Sequence, residues 1–408
     1  MRIYRMQNPV QRYSWGSPYG LRDALGIPNP DGGPVAEVWM GAHPKAPSMV
    51  IEDGALRRLD ELIQESPEAF LGNRVLSRFG RALPFLLKGL SAAGPLSVQA
   101  HPAKRKAERG YDRENLAGIP IDAPERNYRD RNHKPEMVVA LTPFKGLFGF
   151  RPIDAIIENI HLLTPDNWRR YAGKLEKNPG RVELSVLFYT TMTGDAAWRA
   201  ETLAKTAVRV RSLLASGGLP AERVEALEWT DRLLQLYPGD MGALAPIALN
   251  LVTLRPGETL YVAPGELHAY FQGEALELMA NSDNVIRGGL TGKHVDLPEL
   301  ISVLSFDSVP VSPRRASPVG PGEEAYPVFA PDFRLSRVAA RDAGLELPVS
   351  GPEILLCVEG SGEVADAQGS VPITRGETVF VRADAGRFTI SGDCVAYRAA
   401  VPQEGSDA

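Results

Sequence analysis

Two stretches of this chain lie over one another without a gap, and they restrict its possible folds more than anything else in it. Gly257-Glu258-Thr259-Leu260-Tyr261-Val262-Ala263-Pro264-Gly265-Glu266-Leu267-His268 matches Gly376-Glu377-Thr378-Val379-Phe380-Val381-Arg382-Ala383-Asp384-Ala385-Gly386-Arg387 in its opening Gly-Glu-Thr and in the apolar triplet. The first copy reads as a short run of strand-formers, a turn at Gly265, and an extended segment entered at His268. The second copy ends in Arg387 where the first has its histidine. A single histidine after such a turn is more often a satisfied structural residue than a metal ligand, so His268 needs partners.

The chain offers partners upstream. In Gly94-Pro95-Leu96-Ser97-Val98-Gln99-Ala100-His101-Pro102, strand alternation puts Leu96, Val98 and Ala100 on one face and Ser97, Gln99 and His101 on the other. Three polar side chains on one face fit an exposed edge or a polar pocket, and Gln99-x-His101 lets two groups reach one ion. In Asn132-His133-Lys134-Pro135-Glu136-Met137-Val138-Val139-Ala140-Leu141, Lys134 and Glu136 share one face at the mouth of an apolar strand.

Between these sites the periodicity becomes helical. Helices are expected over 153–163, along the spacing Leu203, Ala207, Val210, Leu214 up to Gly217-Gly218, and over 221–236. Shorter helices are expected at 59–70 and 73–79, and strands at 35–40, 83–90, 249–254 and 275–280. A proline-rich stretch, 308–324, reads as a linker, and an all-β segment follows. At 408 residues the chain calls for two or three domains. The expected division is 1–150 and 246–324 as two parts of one catalytic β domain, 151–245 as a helical domain, and 325–408 as a C-terminal domain. His161, the one histidine of the helical block, is expected to pack within an apolar helix and to bind no metal.

Composition narrows the functions. A net charge of −5 argues against general nucleic-acid binding. No apolar run approaches the ~20 residues of a membrane span, and Met1-Arg2-Ile3-Tyr4-Arg5 leads into no signal-peptide core. Cys357 and Cys394 are too few for a disulfide framework and read as buried thiols. The expectation is a cytoplasmic protein acting on a small molecule, as a monomer or an oligomer, the monomer being preferred.

The repeat resembles the second signature motif of the cupins, double-stranded β-helix barrels of the jelly-roll type whose interior holds a metal. The expected fold is therefore mainly β with a helical insertion: a catalytic cupin barrel and a second, degenerate, metal-free one. At cupin positions, Gln99, His101, Glu136 and His268 offer an amide oxygen, a carboxylate and two imidazoles, a set suited to one Zn²⁺. Over nearly its whole length the chain also resembles the type I phosphomannose isomerases. Tyr13-Ser14-Trp15-Gly16, Ala36-Glu37-Val38-Trp39-Met40-Gly41-Ala42-His43-Pro44, the 96–102 and 132–136 segments, and 265–293 with Ser282-Asp283-Asn284-Val285-Ile286-Arg287-Gly288-Gly289-Leu290-Thr291 carry this likeness.

The resemblance implies interconversion of mannose 6-phosphate and fructose 6-phosphate through an enediol, in mannose metabolism and GDP-mannose biosynthesis. It implies the zinc set above, with Arg287 catalytic in the substrate cleft. The chemistry asks for a base near C1 and C2 and positive charge near both oxygens. Lys134 is a candidate base, with His133 and Glu277 as rivals; its other reading is a surface lysine paired with Glu136. Ser97, Tyr270, Glu277 and Lys293 are expected to bind substrate, and the 126–131 arginines are further phosphate candidates. Two other readings remain: a cupin dioxygenase, whose iron usually has more histidines, and a non-enzymatic sugar-binding cupin.

Overall fold

The computed structural model describes residues 2–52, 54–163, 169–308, 310–341 and 344–403. Small parts of the expected helical block (164–168), linker (309) and C-terminal domain (342, 343, 404–408) thus lie outside the described residues. Two antiparallel sheets carry the fold, of eleven and twelve strands among those residues. The spine of the first is the strand His268–Ala280. Its first half pairs with Phe144–Phe150, and its second half with Phe85–Ala92 on one side and Glu136–Ala140 on the other. The strand turns between these pairings at Gly273, whose φ is +112° and where a Cβ would stand 2.4 Å from the Pro143 carbonyl oxygen. Only glycine fits there.

The repeated Gly-Glu-Thr is a repeated turn. Glu258 Oε2 accepts the Arg255 N–H at 2.9 Å, and Glu377 Oε2 accepts the Thr374 N–H at 2.8 Å. Strands Glu258–Val262 and Thr378–Val381 follow. The copies then diverge: Gly265 makes the first return turn, while a single 3-10 turn, Ala383–Ala385, makes the second. Arg387 accordingly faces solvent and pairs with Glu346, and apolar side chains including Leu355, Val364, Ile373, Val379, Phe388 and Ile390 fill the second core.

Helices Ile153–Leu163, Arg181–Thr193, Ala196–Ser216 and Ala221–Leu236 form a helical block, and strand Leu249–Leu254 follows it. The block shares a core with Val98, Ala100, Leu267, Ala269 and Phe271. It therefore covers the apolar backs of the strands whose fronts carry Gln99 and His268. Placement of the site begins with this alternation.

Several local expectations change. The helices near residue 70 run Leu59–Glu65 and Pro67–Phe79, and the break at 71–72 survives as a non-helical Gly72 within the second. The proline-rich 308–324 stretch holds short strands Arg314–Arg315, Ser317–Gly320 and Glu323–Ala325, because proline can occupy sheet edges. His161 lies on the exposed side of its helix, 2.5 Å from Glu176, not in apolar packing. Cys357 and Cys394 are buried free thiols with their sulfurs 3.5 Å apart.

The N-terminal strand Ile3–Gln7 lies in the second sheet, antiparallel to Thr378–Val381. Ile3 is fully buried in the C-terminal core. Truncation to alanine there leaves a cavity among residues far away in sequence, so Ile3→Ala is expected to cost about 2–5 kcal/mol in a urea melt. A loss below about 0.5 kcal/mol, the level of an ordinary surface change, would contradict this packing.

Candidate active site

Three strands bring one buried cluster together. His101 leaves the strand Val98–Ala100, and its backbone carbonyl accepts the Gly265 N–H at 2.7 Å, which ties the two turns to each other. His268 opens the spine strand opposite Gln99, and Glu136 opens the strand that pairs with Val262 and Met279. Each imidazole is oriented through its far nitrogen. His101 Nδ1 lies 2.7 Å from the Asn284 carbonyl oxygen, and His268 Nδ1 lies 3.1 Å from that of Glu266. A donating Nδ1–H at each leaves both Nε2 lone pairs turned toward Glu136.

Those Nε2 atoms stand 3.2 Å and 3.3 Å from the two oxygens of the Glu136 carboxylate. Fully buried, His101 Nε2 and Glu136 Oε1 nevertheless make no directed hydrogen bond among the described residues. The Gln99 amide sits 3.3 Å from His268 Nε2, and a half-turn of that amide exchanges its nitrogen for its oxygen. Burial, then the nearby Lys134 charge, pushes the His101 imidazole down to about 4. Burial acts to raise the Glu136 carboxyl, but Lys134 and then His101 hold it well below the usual range. Buried, convergent and short of hydrogen bonds, two imidazoles, a carboxylate and an amide fit a borderline divalent cation such as zinc.

The cluster borders a cleft of about 510 Å³ lined by Trp15, Trp39, Ser97, Gln99, Lys134, Glu136, Tyr270, Glu277, Arg287 and Lys293 among others. Of the site residues expected from sequence, Gln99, Glu136, Ser97, Lys134, Tyr270, Glu277, Arg287 and Lys293 line this cleft, and His101 and His268 join the cluster at its edge; His133 and the 126–131 arginines do not line it. Lys134 is buried with its Nζ 2.8 Å from Glu136 Oε1, and Tyr270 Oη is 3.5 Å from Glu136 Oε2. His133 does not line the cleft; its Nε2 meets Asp332 at 2.8 Å.

Arg287 and Lys293 form no ion pair among the described residues, and neither does Arg129, whose charge reaches both. Burial, then Arg129, lowers the Arg287 guanidinium, and burial, then Arg287, lowers Lys293. Of the other arginines in 126–131, Arg126 is held by Glu114 and the carbonyls of Tyr128 and Ile119, and Arg131 by Asp112. Mutually repelling cations without carboxylates make one end of the cleft a place for an anion.

Sequence reasoning missed Lys88. Its Nζ lies 3.0 Å from Glu277, 3.5 Å from Glu37 and 5.3 Å from the centre of the Trp39 ring. Burial opposes its charge, but Glu277, then Glu37 and Glu136, outweigh that and hold the ammonium protonated. The signal was present: a lysine inside Phe85–Ala92, buried at every position, must have an acidic partner. His43 and Lys45 were missed too; both pair with Asp283, at 3.5 Å and 2.8 Å. They hold its carboxyl well below the usual range although burial acts to raise it.

The sequence matches the family model described as phosphomannose isomerase type I, catalytic domain, over residues 3–153. It is 39% identical to the mannose-6-phosphate isomerase of Escherichia coli (strain K12), covering 96% of this chain and 97% of that protein. It is 32% identical to the Bos taurus mannose-6-phosphate isomerase over 98% of each. The fold is similar to a zinc-bound mannose 6-phosphate isomerase structure, with a TM-score of 0.89, 36% identity and coverage of 99% and 100% of the two chains. It has the same TM-score and identity against the Salmonella typhimurium enzyme bound to its substrate and zinc, again over 99% and 100%.

Removing the charge of Lys88 strands two buried carboxylates. Lys88→Met is expected to cost about 3–5 kcal/mol in a urea melt, with Glu277→Gln in the same chain recovering part of that loss. Equal stability of the single and double variants would show that the Lys88–Glu277 contact carries none of it.

Proposed function

The chain belongs to the mannose-6-phosphate isomerase family, and from that premise we propose that it is a zinc-dependent aldose–ketose isomerase. It interconverts mannose 6-phosphate and fructose 6-phosphate. The observation that supports this most is the division of one cleft between a His101–Glu136–His268 cluster and the cations Arg287 and Lys293, which have no ion-pair partner among the described residues. We read the two sheets as cupin-type barrels, the first bearing the site and the second filled with side chains.

Gln99, His101, Glu136 and His268 hold one Zn²⁺ on this reading. Bound there, the ion supplies positive charge close to the reacting sugar oxygens. Lys293, with Ser97, receives the phosphate, while Tyr270 and Glu277 line the sugar's path. Arg287 reaches into the same space and stabilises negative charge on oxygen as the enediolate develops. A base must carry a proton between C1 and C2. Lys134 fits that role by its burial in the cleft, and Glu277 is its rival, its carboxyl raised by burial although Lys88 acts to lower it. His133 is the weaker candidate, because its ring is engaged by Asp332 outside the cleft. An iron dioxygenase reading is disfavoured by the amide in the ligand set, and a passive sugar binder has no need of buried Lys134 and Lys88 beside it.

Elemental analysis is expected to give one zinc per chain, lost in His268→Ala. A coupled assay on mannose 6-phosphate should show turnover that a chelator abolishes and added zinc restores. Two ions per chain, full occupancy in His268→Ala, or no turnover with zinc fully loaded would overturn the reading.

For Arg287→Ala, with zinc content checked first, kcat is expected to fall about a hundredfold to a thousandfold, with a smaller change in KM. The guanidinium is permanently charged and ligates no metal, so this loss belongs to the reaction. Near-normal turnover at saturating substrate would leave Arg287 only a phosphate-gripping role.

A further inference from the structure

The strand that carries Arg287 is irregular beyond it. Ile286–Gly289 pairs regularly with Val98–Ala100 only through Arg287↔Gln99, and the register then shifts before Gly289. Leu290 follows at φ +56°, the only non-glycine residue in the left-handed region among the described residues. A leucine pays about 1–2 kcal/mol for that conformation unless its surroundings impose it.

What imposes it comes from the helical block. At the turn after Ala221–Leu236, Asp240 Oδ2 accepts the Leu290 N–H at 2.7 Å and the Thr291 N–H at 3.4 Å. The other oxygen of the same carboxylate accepts the Gly242 N–H at 2.7 Å. Behind the carboxylate two glycines meet: a Cβ on Gly242 would stand 2.9 Å from the Gly289 Cα and 3.0 Å from the Leu290 nitrogen. Three residues earlier, Tyr237 donates its hydroxyl to the Pro95 carbonyl at 3.1 Å, two residues before Ser97. One turn of the helical block therefore grips both backbone segments that carry the cationic and hydroxyl groups of the anion end.

We infer that Asp240 is a positioning residue for that end of the cleft: its carboxylate locks the strained 289–291 backbone and thereby fixes Arg287 and Lys293 for the phosphorylated substrate. The inference rests on the isomerase reading for its kinetic consequence, but the lock itself does not. The helical block supplies a clamp to the site even though it places no metal ligand there.

A double-mutant cycle on the zinc-loaded enzyme tests it. Asp240→Asn is expected to lower kcat/KM for mannose 6-phosphate about tenfold in the wild-type background, and less than about threefold when Arg287 is already alanine. Hydrogen exchange at Leu290 and Thr291 should quicken about tenfold in Asp240→Asn, with zinc content unchanged. Gly242→Ala keeps the carboxylate's charge but presses a methyl onto Gly289 and onto Asp240 Oδ1, each 2.9 Å from the added Cβ; the same exchange and kinetic pattern is expected, and it decides the matter if Asp240→Asn does not fold. Unchanged exchange overturns the lock, and additive kinetic losses overturn its action through Arg287. If the wild-type enzyme turns over no sugar phosphate, the isomerase reading fails while the exchange measurement still decides the lock.

Discussion

One carboxylate, Glu136, faces two imidazoles deep inside the protein, and the rest of the architecture has to keep that arrangement in place. An ionised carboxyl in such a position is tolerable only with cations or directed donors around it. Lys134 supplies one charge at 2.8 Å. The imidazoles are turned so that their far nitrogens face backbone carbonyls, and His101 Nε2 is left without a directed hydrogen bond among the described residues. Asn284 is central to this. Its carbonyl orients His101, while its side chain accepts the N–H groups of Arg129 and Asp130 and donates to the carbonyls of Asp130 and Asn132. The loop before Glu136 and the loop before Arg287 are thereby one unit.

Much of this was legible in the sequence, for a definite reason. Strand alternation alone separates Gln99 and His101 from Val98 and Ala100, and the helical block does pack on the apolar side. The helices at 153–163 and 221–236 were readable because their ends carry proline and glycine punctuation. What escaped is long-range. Nothing local shows that Ile3 belongs beside Val381, or that Asp332 meets His133. Lys88 was hidden in a different way: an apolar strand context reads as core, and the pairing that justifies its charge lies at Glu277, across the sheet.

The linker and the helices near residue 70 show where local reading misleads. Proline argues against strand only where the N–H is needed, and edge positions do not need it. Pro318 sits in just such a short strand, Ser317–Gly320, at the end of the second sheet. The gap expected between 70 and 73 coincides with the non-helical Gly72, but the residues on both sides of it belong to one helical run, Pro67–Phe79. The His161 expectation failed on geometry: an apolar helix still has an outer face, and that is where this histidine lies.

Charge is distributed along the cleft in a way that accounts for both halves of the proposed chemistry. Toward the sheet interior, each carboxylate is matched: Glu277 and Glu37 by Lys88, Glu136 by Lys134, and Asp283 by Lys45 and His43. Paired in this way, the buried carboxylates present less of the negative charge that would repel substrate. Toward the loop held by Asp240 the matching stops, and Arg287 and Lys293 remain with Arg129 as a cationic group. A dianionic sugar phosphate entering such a field is oriented before it makes a single contact, phosphate toward the arginines and sugar toward the histidine–carboxylate cluster. Orientation by the field is coarse, however, and isomerisation needs C1 and C2 placed to a fraction of an ångström. That second requirement falls on the rigid parts: the bend at Gly273, the Asn284 knot, and the carboxylate that holds Leu290 in a conformation it would not choose by itself.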